Sequence, residues 1–212
     1  MTKKPISKKP VAKKTKPKRA AQTLVIDVAI AAEWKRALKT PAAICRRAAA
    51  AAFEAVAARR KPRTRTVELA VVLTSDAAIK RLNALYRGKN KPTDVLSFPA
   101  WLDSESLGSE PSGDGREAVL GDVIIARATA ARDAKAENKP LKEHLTHLVV
   151  HGVLHLLGYD HERDTDARAM ERLEISILKD LGIANPYLAR PPIHGPINGP
   201  VRVPVRAARG RT

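Results

Sequence analysis

At 212 residues the chain is long enough for one well-cored domain with extensions, and its lone cysteine, Cys45, excludes a disulfide within the chain and fits a reducing cytoplasm. The net charge of +17 is unevenly placed: residues 1–20 carry nine Lys/Arg and no acid, residues 188–212 carry five Arg and no acid, and the body between them is close to neutral. That pattern suits basic appendages for a polyanion, RNA before membrane lipid, rather than a basic active-site surface.

In chain order, residues 1–22 form a basic tail expected to be disordered, with Lys13, Lys14, Lys16, Lys18 and Arg19 as its RNA-contact candidates. No continuous apolar run follows it, as a secretory signal would require. The longest alanine run, residues 48–52, lies among charges and is too short to span a membrane. Residues 23–28 read as a strand, and an alanine-rich helix with proline in its first turn is expected over 41–59. After the basic link of Arg60, Lys61 and Arg63, residues 64–73 alternate Val67, Leu69, Val71 and Leu73 onto one face of a strand. Ser75 is placed to cap the next helix, with Asp76 at its positive end. That helix is expected to carry Ile79, Leu82, Leu85 and Tyr86 on one face and to stop near Gly88. Residues 94–98 read as a short strand, 101–118 as an acidic, Ser/Gly-rich exposed loop, and 120–126 as another strand. Helices follow over 126–137 and 141–157, separated by Pro140, and an amphipathic helix over 165–181 has Asp164 as expected N-cap and Gly182 as C-cap. The prolines after residue 190 end regular structure. The order gives a single α/β (α+β) domain over 23–187 with a mixed sheet, between tails 1–22 and 188–212.

The chemistry concentrates in residues 151–161, His-Gly-Val-Leu-His-Leu-Leu-Gly-Tyr-Asp-His. His151 and His155, four apart, project from one helix face, Gly158 falls where the helix must end, and the turn brings His161 round as a third nitrogen. Three imidazoles with one open position describe a catalytic zinc rather than a closed structural one, with one Zn²⁺ per chain. The metzincin proteases share this spacing but place a general-base glutamate beside the first histidine; here that position is Gly152, so the cage is shared and the proteolytic chemistry is not supported.

The H-G-x-L-H-L-x-G-Y-D-H stretch resembles the signature of the bacterial rRNA maturation factors, the YbeY family of zinc-dependent endoribonucleases. Residues 82–88, Leu-Asn-Ala-Leu-Tyr-Arg-Gly, residues 91–99, Lys-Pro-Thr-Asp-Val-Leu-Ser-Phe-Pro, and residues 120–125, Leu-Gly-Asp-Val-Ile-Ile, look like the family's other blocks, in the right order. The resemblance spans roughly residues 23–187. It implies a four-stranded sheet packed with helices, a zinc in a cleft, and single-strand-specific cleavage in 16S rRNA 3′-end maturation and late ribosome quality control. It also implies the small subunit, ribosomal proteins or assembly GTPases as partners. One departure is Asn90, where the family block usually has an aspartate; it retains the turn-forming tendency and lacks the charge.

A phosphoryl substrate needs a cation for charge on its non-bridging oxygens, and a guanidinium supplies a fixed fork of donors. The resemblance gives that role to Arg87. Water on zinc, with its pKa lowered toward about 7, and attack by the ribose 2′-OH remain alternative sources of the nucleophile. His147 and His144 share the helical side of His151 and are expected behind the ligands or in packing rather than on the metal, while Asp160, beside His161, is a candidate either to orient an imidazole or to cap a turn. Thr93 and Ser97 are candidate phosphate or backbone contacts, and Tyr159 a base-stacking or packing residue. Two rival readings are a zinc hydrolase of another substrate and a non-catalytic assembly factor holding a structural zinc.

Overall fold

The computed structural model describes residues 22–58, 66–100 and 117–188. Alternating aliphatic residues make β1 (Thr23–Ile30) and β2 (Thr66–Thr74), with Val67, Leu69, Val71 and Leu73 of β2 all buried on one face. β3 (Val95–Pro99) and β4 (Glu117–Ala126) complete a mixed sheet in the order β1-β2-β4-β3. β1 and β4 flank β2 in parallel, and β3 closes the edge antiparallel to β4. Parallel neighbours require crossovers. The first runs through α1 (Ala32–Ala37) and α2 (Pro41–Ala57), the second through α3 (Asp76–Arg87) and β3.

Three further helices follow: α4 (Arg127–Ala136), α5 (Leu141–Leu156) and α6 (Asp164–Asp180). The architecture among the described residues is therefore α+β, four strands and six helices around one main core. α5 is its axis. Every residue from His144 to Leu156 is buried, and the helix packs on α2, α4, α6, β3 and β4. Gly152 lets it lie close to the sheet, because a Cβ there would stand 2.5 Å from Val123 Cγ1 and 3.1 Å from Ser97 Oγ. The Ser97 hydroxyl donates to the Gly152 carbonyl at 3.2 Å and fixes the contact.

The second crossover is fastened at both ends of α3. Ser75 accepts from Ala78 N at 3.3 Å as its cap. Asp76, in the first turn of α3 as expected, also reaches α4, accepting from Ala128 N (2.9 Å), Thr129 N (3.1 Å) and Thr129 Oγ1 (2.6 Å). Its carboxylate thus supplies acceptors to free N–H groups that a helix start leaves unpaired. Near the other end, buried Asn83 donates to Lys91 O at 2.7 Å and ties the loop before β3 to the helix.

Several expectations change. The six-residue α1 was not foreseen: it has no side-chain cap and is held by buried Trp34, whose Nε1 donates to Thr74 O at 3.1 Å. Leu85 is 73% exposed, because it lies six residues from Ile79 and a helix turns it off that face; Ile79 and Asn83 are the buried pair of α3. Asp164 is the first residue of α6 rather than its N-cap; extended Arg163 precedes the helix, and Asp164 and Asp166 sit in its first turn. β4 begins at Glu117, inside the expected 101–118 loop, because it pairs with β2 from Thr66 onward. The rest of that loop, the Arg60–Lys61–Arg63 link, and both tails apart from Gln22 and Leu188 lie outside the described residues. No helix among the described residues is long and apolar enough to cross a membrane.

Candidate metal centre

The metal loop begins with how α5 ends. Gly158 takes φ 88° just past the helix, Gly158 N bonds His155 O at 3.0 Å, and Tyr159 N bonds Leu154 O at 3.0 Å. This reversal, which a Cβ would strain, is the Schellman arrangement. It turns the chain so that His161 faces α5, its ring stacked on His151 with centroids 5.6 Å apart and edge-on to His155 at 4.9 Å. One nitrogen from each of His151, His155 and His161 lies within 4.8 Å of the others.

Hydrogen bonds on the far side of two rings set their tautomers. His151 Nδ1 donates to Glu174 Oε1 at 2.7 Å, and His155 Nδ1 donates to Tyr159 O at 2.9 Å, so both Nε2 atoms carry lone pairs. Those two nitrogens face each other at 3.1 Å, and His161 Nε2 is buried without a hydrogen-bond partner. Converging lone pairs repel unless a cation lies between them. Burial and the neighbouring imidazoles push His155 down to about 2 and lower His161 as well, which keeps the rings neutral and ready to ligate. The donor set therefore fits a divalent ion with three nitrogen ligands.

Glu174, fully buried on α6, is the residue that sequence reasoning missed. It joins His151 to His147, whose Nε2 is 2.9 Å from Glu174 Oε2, and it accepts a short hydrogen bond from the Tyr187 hydroxyl. Burial alone would raise its carboxyl, but the neighbouring His151 and the hydrogen bonds from His147 and His151 together hold it well below the usual carboxylate range. A signal existed in the sequence: Glu174 occupies the same helical stripe as Met170, Leu173 and Ile177.

The other candidates fall as follows. His147 shares the Glu174 carboxylate with His151, and Asp160 accepts from the backbone N–H of His161 at 2.7 Å, the turn-capping one of its two expected roles. Thr93 donates to Asp94 Oδ1 at 3.1 Å, Ser97 is spent on Gly152, and Tyr159 packs against the core. Asn90 is exposed. Arg87 ends α3, half-buried; burial lowers its pKa and Asp94 raises it. Among the described residues no hydrogen bond or ion pair links Arg87 to the three histidines. Lys13, Lys14, Lys16, Lys18 and Arg19 lie outside the described residues.

Fold and site together define a single-domain α+β protein built around a three-histidine centre suited to a divalent metal. Residues 30–182 match the family described as Endoribonuclease YbeY. The chain is 47% identical over 165 residues to the Endoribonuclease YbeY of Bradyrhizobium diazoefficiens, covering 76% of this chain and 83% of that one. Against that of Sphingopyxis alaskensis it is 45% identical over 164 residues, covering 77% and 97%. It belongs to the YbeY family. A Thermotoga maritima protein solved in solution matches with a TM-score of 0.49 and 23% identity, covering 74% of this chain and 89% of that one.

Proposed function

We propose that this chain is a metal-dependent endoribonuclease that cuts single-stranded rRNA, the 16S 3′ end in particular, during maturation and quality control of the small ribosomal subunit in the cytoplasm. The observation that carries the metal is the convergence of His151, His155 and His161 nitrogens with the far sides of two rings already anchored. Zn²⁺ is the ion that three neutral imidazoles with an open position suit best, one per chain. When bound, such an ion supplies Lewis acidity toward a phosphoryl oxygen and makes hydroxide available near neutral pH.

The chain's own residues do the rest. Glu174 and the Tyr159 carbonyl hold His151 and His155 in the ligating tautomer. Phosphate binding falls to Arg87 in this reading, supported by a burial that leaves the guanidinium short of water with Asp94 opposing its effect. Gly152 supports RNA over peptide: the position of a metzincin base is filled by contact with Val123 and Ser97, with no room for a carboxylate arm. The domain of this reading spans residues 23–187. The basic tails 1–22 and 188–212 lengthen residence on rRNA, so their deletion flattens the salt dependence of binding. Ribosomal proteins and assembly GTPases are the expected protein partners.

The test combines metal analysis with cleavage of a labelled single-stranded rRNA 3′-end fragment by wild type, His155→Ala and Arg87→Ala. One zinc per chain, cutting lost in both variants, and zinc retained in Arg87→Ala support the reading. Equal trace cutting by all three proteins identifies a contaminating nuclease and favours a non-catalytic assembly factor.

A further inference from the structure

We infer that Asp94, Asp133 and His144 form a second divalent-cation site, separate from the three-histidine centre and suited to Mn²⁺. Asp94 lies just ahead of β3, Asp133 on α4 and His144 in the first turn of α5, and one ligand atom from each lies within 4.8 Å of the others. Asp133 and His144 belong to successive helices and Asp94 to the lead-in of β3, and α4 and α5 packing beside the β3–β4 edge brings them together.

His144 is the independent observation. It is 4% exposed, and neither ring nitrogen has a hydrogen-bond partner. No carboxylate among the described residues comes within hydrogen-bond reach of it: Glu137 Oε2 stands 3.9 Å from Nδ1. An orphaned buried polar group is destabilising, so an imidazole with both nitrogens idle next to two carboxylates is a poor hydrogen-bonding arrangement. It is a good ligand arrangement. With bonds of about 2.1 Å, two ligands of one ion lie up to about 4.2 Å apart, so the three side chains, within 4.8 Å of one another, need close in by only a few tenths of an ångström on an ion.

Asp94 is prepared for this task. Its Oδ1 accepts from Val95 N at 2.9 Å and from Thr93 Oγ1 at 3.1 Å, while Oδ2 takes no hydrogen bond among the described residues. The field agrees: burial, then Asp94, Glu137 and Asp76 raise the Asp133 carboxyl against the opposing pull of Arg132, and burial lowers His144. Two carboxylates beside a neutral imidazole leave an excess of negative charge that a dication relieves. One imidazole disfavours Mg²⁺ and Ca²⁺, which take oxygen ligands, and two carboxylates make the site harder than the three-nitrogen centre, so Mn²⁺ suits it once the zinc is committed to the three histidines.

Seven residues separate His144 from His151, about 10 Å along α5. Paired catalytic metals stand about 3.5–4 Å apart, so the second ion is not half of a two-metal centre. It clasps α4 and α5 to the lead-in of β3 and neutralises Asp94, the carboxylate whose charge Arg87 feels.

The experiment titrates Mn²⁺ into protein preloaded with one equivalent of Zn²⁺ and follows it by electron paramagnetic resonance, for wild type, Asp133→Asn and His144→Gln, with circular dichroism as the folding control. Wild type is expected to bind one Mn²⁺ showing imidazole-nitrogen modulation, and both variants to bind it at least about tenfold more weakly with zinc content unchanged. The Asp133 side chain is 38% exposed, so that variant reports even where His144→Gln fails to fold. No Mn²⁺ bound beyond the zinc, or Asp133→Asn equal to wild type, overturns the proposal. So does imidazole modulation persisting in folded His144→Gln, which places the ion in the three-histidine centre.

Discussion

Glu174 Oε1 lies 2.7 Å from His151 Nδ1, so a carboxylate on α6 holds a metal-facing histidine of α5 from behind. The same carboxylate is bonded to His147 and Tyr187, leaving it acceptor to three donors at once. Glu174→Gln keeps the shape but offers one oxygen and an NH₂ that clashes with an imidazole N–H. Metal affinity is expected to fall about 10–100-fold, read by competition with a chromophoric chelator. Unchanged affinity would show that His151 needs no support from α6.

Arg87→Ala is expected to lower cleavage by about two to three powers of ten while metal content stays at the wild-type level. Arg87→Lys should recover only part of that loss, since an ammonium lacks the planar fork. Single-turnover cleavage and metal analysis on the same preparations check both. Full recovery by lysine would reduce the residue to a point charge.

Gly152→Ala pushes a methyl group against Val123 and should destabilise the chain by about 1–3 kcal/mol, measured as a shift in denaturant midpoint. Adding Val123→Ala removes the atom that lies 2.5 Å away, so the double variant is expected to regain part of the loss. A double variant worse by the simple sum of the two changes would mean that Val123 is not the obstacle.

Folded His155 and His161 have pKa values below the free-imidazole value of 6.5. Below that pH the unfolded chain therefore binds more protons than the folded one, and stability falls as pH falls through about 6.5. Glu174, also lowered, adds a loss in the same direction below 4.5. The thermal midpoint of chelator-treated protein should thus be lower at pH 5.5 than at pH 8. A midpoint that rises on acidification would contradict the burial of these rings.

Burial raises the Cys45 thiol to about 12, against a small opposing effect of Arg46. Native protein at pH 8 should resist iodoacetamide, and reaction should appear only on unfolding. Because the unfolded thiol ionises near 9 and the folded one does not, this group also reduces stability as pH rises above 9. Rapid alkylation of native protein would mean that α2 opens readily.

The clustering of His151, His155 and His161 was legible because its information is local: two histidines one helical turn apart, a glycine at the bend and a third histidine just beyond. The α5 environment was legible for the same reason. Glu174 was not, since its partners stand 27 and 23 residues away and only the folded packing of α6 on α5 brings them together. The strands could be read from alternation, but the order β1-β2-β4-β3 depends on where β3 docks, a non-local choice that the family resemblance covered only as a strand count. α1 escaped because a six-residue helix without a side-chain cap owes its existence to Trp34. Leu85 was misassigned because apolar character alone was allowed to override its angular position.

The chain beyond α6 doubles back: Lys139 Nζ holds Pro186 O at 3.1 Å, and the Tyr187 hydroxyl reaches Glu174, the carboxylate behind His151. Tyr187 is thereby linked through one carboxylate to the ring of His151, so a change at the end of the described chain reaches the histidine cluster through a shared hydrogen-bond acceptor rather than through direct contact.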